Sequence, residues 1–169
     1  MTTLPNPVVR TRVLVVEDSM TIRQELLRVL RADERFEVVG EARNGDQAIQ
    51  LVRELRPDVV TLDMMLDGMN GNEATEEIMA FVPTPILIVS ASVNRGELLN
   101  TYAALASGAV DVLDKPMELP DPVWERRFCS AVLRTSRIRV ITHPRARLRG
   151  ATRSAPPRPI TPSASPAGP

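Results

Sequence analysis

Five short strand-like runs, each followed by a segment of helical character, constrain the fold of this chain more than any other feature. The runs are RVLVV at 12–16, FEVVGEA at 36–42, DVVTLD at 58–63, ILIVS at 86–90 and AVDVL at 109–113. Apolar residues at consecutive positions suit strands buried on both faces. Between them the period changes. Ser19 is placed to cap a helix over Thr21–Leu30, where Ile22, Leu26, Val29 and Leu30 share one side. Asn44-Gly45 reads as a turn before a helix over Asp46–Leu55, which Pro57 stops. Further helices are expected over 72–81, over 95–106 with Gly108 at its C-cap, and over 123–136 with Trp124, Phe128, Val132 and Leu133 inward. Five β-then-α units require an α/β fold, a parallel sheet with helices on both faces. Ligands bind such sheets at the carboxyl ends of the strands, near the point where strand order reverses.

Charge divides the chain unevenly. Residues 1–125 hold all 21 acidic residues and 11 basic ones, a net −10, while the remainder holds ten arginines and no acid. From about Thr142 onward, Pro, Ala, Ser, Thr and Arg dominate, and too little apolar surface exists to offset ordering entropy. The expected organisation is a disordered segment over 1–10, a folded domain over 11–136 and a flexible linker or tail over 137–169. Cys129 stands alone, so no internal disulfide forms. No apolar run approaches the ~20 residues that span a bilayer, and residues 1–10 lack a signal-peptide core. A cytoplasmic protein without membrane contact is expected. The late arginines are followed by no helix-turn-helix pattern and no stacking aromatics, so nucleic-acid binding is not expected.

The strand ends carry the chemistry. The first ends in Glu17-Asp18, the third in Asp63, the fourth in Ser90, and the fifth runs into Lys115. Three carboxylates on one rim repel; one like-charge pair at about 4 Å costs on the order of 4 kcal/mol at an effective dielectric near 20. A cation resolves that conflict, and oxygen-only donors suit Mg²⁺ or Mn²⁺. A carboxylate can attack phosphorus, a hydroxyl can donate to the transferred group, and an ammonium can neutralise it. Lys115 is the only lysine among 21 basic residues, a compact point charge of the kind that binds phosphate. Taken singly these residues have ordinary explanations. Asp18 and Ser19 could only cap a helix, Asp63 could be a loop carboxylate and Ser90 a turn hydroxyl; the set together favours a metal and phosphoryl site. Met64 reads as a packing residue, Cys129 as buried, Trp124 as core, and Asp67, Asp111 and Asp114 as solvated charges.

Residues 11–135 resemble the receiver domains of bacterial two-component response regulators. The matching segments are VLVVEDS at 13–19, PDVVTLD at 57–63, Gly71, IVS at 88–90 and Lys115-Pro116. The resemblance implies a flavodoxin-like (βα)5 fold with strand order 2-1-3-4-5. It implies Asp63 as the phosphoacceptor for a histidine kinase. Glu17, Asp18, Asp63 and the Met65 backbone carbonyl would bind Mg²⁺, Ser90 and Lys115 would contact the phosphoryl group, and the Lys115–Pro116 bond would be cis. Three positions depart from the family pattern: Glu17 where Asp is commoner, Asp67 where a proline is usual, and Val112 where an aromatic normally moves with the Ser90-type hydroxyl during switching.

A narrower resemblance rests on RELRPDVVTLD at 53–63, PTP at 83–85 and GAVDVLDKP at 108–116. These look like the receivers of chemotaxis-type protein-glutamate methylesterases, in which a linker leads to a domain that demethylates chemoreceptors. No G-x-S-x-G elbow occurs, and His143 is the only histidine, so ester hydrolysis by this chain is not expected. The switched output would be a methylesterase domain missing from this chain, reached through the helix over 95–106, the fifth strand and the last helix. A stand-alone receiver acting as phosphate sink or adaptor is the alternative. An aspartyl-phosphate phosphatase is a remote one, because Met65 occupies the position of its second acid.

Overall fold

A computed structural model describes residues 9–91 and 103–141. Five strands, β1 (Thr11–Val16), β2 (Phe36–Ala42), β3 (Val59–Leu62), β4 (Ile86–Ser90) and β5 (Asp111–Asp114), form one parallel sheet in the order β2-β1-β3-β4-β5. The helices are α1 (Met20–Arg31), α2 (Gly45–Leu55), α3 (Gly71–Phe81) and α4 (Pro122–Ser136), with a short helical piece at 103–106. Both the expected fold and the expected strand order hold. No helix among the described residues is long and apolar enough to cross a membrane.

The central strands β1, β3 and β4 are buried at consecutive positions because each of their faces is covered. Leu14 and Val16 of β1 join Leu62, Ile88, Val52 and Ile78 on one side. Their neighbours Val13 and Val15 join Leu87, Leu26, Leu30 and Phe128 on the other, as the two-residue strand period requires. Trp124 stacks on Phe128 with ring centroids 5.0 Å apart and lies in this second core, as expected. Cys129 is buried beside them.

Helix ends follow local chemistry. Ser19 accepts from the Ile22 N–H, Asn44 from Gln47, Asn70 from Glu73, and Asp121 from Val123 and Trp124. At Gly108, φ is +112°, the Gly108 N–H donates to the Leu105 carbonyl and the Ala109 N–H to the Ala104 carbonyl. That pair of bonds is a Schellman cap, so Gly108 has the expected role. It also explains why β5 starts later than the expected position 109: Ala109 closes the helix, and Val110 makes the first bond to β4 through the Ile86 carbonyl.

One expectation is corrected. The cis X-Pro bond lies at Leu119–Pro120, and Lys115–Pro116 is not cis. The two X-Pro isomers differ by only about 0.5–1 kcal/mol, so surrounding structure decides between them and sequence does not. The expected segment over 1–10, the helix over 95–106 and the tail fall largely outside the described residues. Where residues 137–141 are described, Val140 packs against the core face that carries Leu14 and Ile88.

Candidate phosphoryl and metal site

The strand order reverses between β1 and β3, and the candidate residues meet there. Backbone bonds fix the rim first. The Glu17 N–H donates to the Ala42 carbonyl, the Asp63 N–H to the Val16 carbonyl, and the Lys115 N–H to the Ser90 carbonyl at 2.8 Å. Each candidate is thus tied to the neighbouring strand end. The loop after Asp63 turns back because α3 packs close: a Cβ on Gly71 would lie 2.6 Å from the Asp63 carbonyl oxygen and 2.8 Å from the Met64 Cα. Only glycine admits that approach.

Glu17, Asp18 and Asp63 each offer a carboxylate oxygen within 4.8 Å of the others. Glu17 is fully buried and Asp63 is 3% exposed. Lys115 Nζ lies 2.7 Å from Asp63 Oδ2, to which it donates, and 2.8 Å from Glu17 Oε2. The second contact is an ion pair without hydrogen-bond alignment, so Glu17 Oε2 stays buried with no hydrogen-bond donor. Glu17 Oε1 accepts from the Ser19 N–H, and Asp63 Oδ1 from the Met65 N–H.

Burial and then the Asp63 charge push the Glu17 carboxyl up to about 7, against the pull of Lys115. Burial disfavours the Lys115 charge, but its hydrogen bond to Asp63 and its ion pair with Glu17 outweigh that and its pKa rises. Ionised, the three carboxylates exceed the single ammonium by two charges. A divalent cation matches that deficit, and an all-oxygen donor set with an unsatisfied Glu17 oxygen fits Mg²⁺ or Mn²⁺. Ser90 closes the β4 end of the rim; it is 3% exposed and its hydroxyl has no hydrogen-bond partner among the described residues. A buried hydroxyl without a partner costs free energy.

Residues 13–123 match the family model described as the response regulator receiver domain. The chain belongs to that family. It is 41% identical over 152 residues to protein-glutamate methylesterase/protein-glutamine glutaminase 4 of Myxococcus xanthus, a match covering 88% of this chain and 41% of that protein. It is 42% identical to the corresponding protein 3 of Anaeromyxobacter dehalogenans, covering 93% of this chain and 45% of the relative. The chain therefore spans less than half the length of these relatives. Among solved structures, the response regulator domain of Thermotoga maritima CheB aligns with a TM-score of 0.69 and 31% identity, over 78% of this chain and 99% of that one. The receiver is thus similar to those of chemotaxis-type response regulators.

The structure brings Glu17, Asp18, Asp63 and Lys115 together and sets Ser90 at the adjoining strand end. Val112, paired with Ile88 across the β4–β5 ladder, is half-buried against the core face that holds Leu14. Asp111, expected to be solvated, pairs with Arg134 of α4. Sequence reading overlooked Arg23, a cation that is 4% exposed behind the acidic loop. The signal was present: Leu26, Leu27 and Leu30 follow it at helical spacing, which places Arg23 on the inward side of α1.

Proposed function

We propose that this receiver accepts a phosphoryl group on Asp63 from a histidine kinase, in a Mg²⁺-dependent reaction, and switches a methylesterase output in the cytoplasm. The observation that carries the proposal is the single ammonium of Lys115 set between the buried carboxylates of Asp63 and Glu17, with Asp18 within reach. One Asp63 carboxylate oxygen bonds to phosphorus while the phosphorus–nitrogen bond of the donor phosphohistidine breaks. The electron pair leaves on the imidazole nitrogen, which takes a proton, and Asp63 becomes an acyl phosphate. Glu17, Asp18, Asp63 and the Met65 carbonyl would hold the Mg²⁺, which supplies charge neutralisation for the phosphoryl oxygens.

Lys115 is placed to exchange part of its contact with Asp63 for a phosphoryl oxygen. The unpartnered Ser90 hydroxyl is placed to donate to another. New charge on Asp63 then biases a two-state equilibrium at the β4 and β5 ends. The methylesterase output is supported by the names of the relatives, whose remaining length this chain does not span, and chemoreceptors as its targets rest on the family resemblance alone. Intact-mass spectrometry after incubation with acetyl phosphate tests the reading. The expected result is one Mg²⁺-dependent phosphoryl adduct in the native chain and none in Asp63→Asn. An adduct of equal yield in the variant would place the chemistry elsewhere.

A further inference from the structure

Arg23 has no part in the reaction just described, yet it is the cation most completely withdrawn from water next to the site. A buried guanidinium is tolerated only where its donors are used. Nη1 donates to the backbone carbonyls of Glu17 at 2.8 Å and Asp18 at 3.2 Å, and Nε donates to Glu41 Oε2 at 3.0 Å. Two successive carbonyls are therefore turned onto one nitrogen, and they belong to the two residues whose carboxylates converge with Asp63. Fixing both peptide planes fixes the direction in which the Glu17 and Asp18 side chains leave the backbone. The Glu41 contact anchors the same guanidinium to β2, so the clamp is braced from outside the loop. A planar fork can serve carbonyls and a carboxylate at once, whereas a lysine ammonium presents one point charge.

We infer that Arg23 is a positioning residue of the candidate metal centre, holding the 17–18 backbone so that both carboxylates face a divalent cation. The inference rests on the reading of the site given above. Groups behind metal ligands typically cost about 10–100-fold in affinity when removed. Mg²⁺ titration calorimetry on the native chain, Arg23→Met, Arg23→Lys and Glu41→Gln tests it, with far-UV circular dichroism confirming folding at the titration temperature. Both Arg23 variants are expected to bind Mg²⁺ about tenfold more weakly. Glu41→Gln, which keeps the carbonyl contacts, is expected to stay near the native affinity. In acetyl phosphate reactions the half-saturating Mg²⁺ concentration should rise while the rate at saturating Mg²⁺ is retained, a split that lost stability alone does not produce.

A folded Arg23→Met with native Mg²⁺ affinity overturns the inference. So does native affinity in Arg23→Lys, because charge would then suffice without the fork. If Arg23→Met does not fold, Arg23→Lys decides. A native chain that binds no Mg²⁺ removes the reading of the site and this inference with it, whereas native binding with unaffected variants removes the inference alone.

Discussion

Replacing Lys115 by Met probes the electrostatics of the site, because the substitution keeps an unbranched chain and removes the ammonium with its charge and its hydrogen bond to Asp63. The ammonium lies 2.7 Å from Asp63 and 2.8 Å from Glu17, both almost wholly buried. Breaking a buried ion pair from one side leaves an uncompensated charge and costs about 3–5 kcal/mol. Here two carboxylates lose one partner and then face each other, so the upper half of that range is expected in EDTA at pH 8. Metal-free Glu17 sets the pH dependence. Its folded pKa is pushed up to about 7 from an ordinary 4.5, so the folded chain binds more protons than the unfolded one between these limits. Metal-free stability therefore falls as pH rises through that window. At pH 5.5 Glu17 already holds its proton, and the cost of Lys115→Met should drop to about half, near the value for a single broken pair. Urea denaturation followed by far-UV circular dichroism at both pH values measures this. A Glu17→Gln background should shrink the pH 8 cost in the same way. A loss below about 1 kcal/mol at pH 8, in the range of a solvent-screened surface pair, would refute the reasoning. A loss that is identical at both pH values would refute it equally.

Other perturbations separate the parts of the account. Mg²⁺ should stabilise the chain by about 2.7 kcal/mol at a hundred times its dissociation constant, reversibly with EDTA, and the effect should vanish in a Glu17→Gln, Asp63→Asn double variant. Gly71→Ala places a Cβ 2.6 Å from the Asp63 carbonyl and should cost about 1–3 kcal/mol by overpacking, with phosphorylation by acetyl phosphate impaired at temperatures where the variant is folded. Burial pushes the Cys129 thiol up to about 11 from an ordinary 9. The native thiol should therefore react with a disulfide reagent at pH 8 far more slowly than the urea-unfolded chain. Because the folded pKa is raised, the protonated thiol's contribution to stability should be lost as pH rises from about 9 toward 11.

Sequence was sufficient where one local signal decided the outcome. Consecutive apolar residues such as those at 13–16 suit strands covered on both faces, and alternation with helices then points to the sheet and the crevice. Ser19 caps α1 as its place in the sequence suggests, while Asn44, read as a turn residue, proves to cap α2. Gly108 ended its helix for the conformational reason that recommended it. Legibility failed where the answer depended on partners distant in the chain. The choice between isomers at Pro116 and Pro120 is a small energy difference settled by packing. Asp111 is a surface charge as expected, but nothing in its own segment reveals its partner Arg134, which α4 brings alongside β5. Arg23 was hidden by habit: an arginine reads as surface charge, although its three leucine neighbours at helical spacing argued otherwise.

The site also shows why its residues cannot be explained by stability. Three carboxylates gathered on one rim, one of them with a buried oxygen lacking a donor, make the metal-free fold less stable than neutral side chains of similar size would. The β1, β3 and β4 ladders hold the carboxylates and the hydroxyl in place regardless, because the apolar faces beneath them leave the strands no other register. Lys115 is delivered the same way, through the Ser90 carbonyl and the Leu113 side chain buried one turn of the pleat before it. The core thus supplies the free energy that keeps like charges together, and the uncompensated negative charge is what the proposed divalent cation would neutralise. If that division of labour is correct, neutralising Glu17 or Asp63 should stabilise the metal-free chain while weakening Mg²⁺ binding. A variant that lost both stability and Mg²⁺ affinity would show instead that the carboxylates hold the fold together.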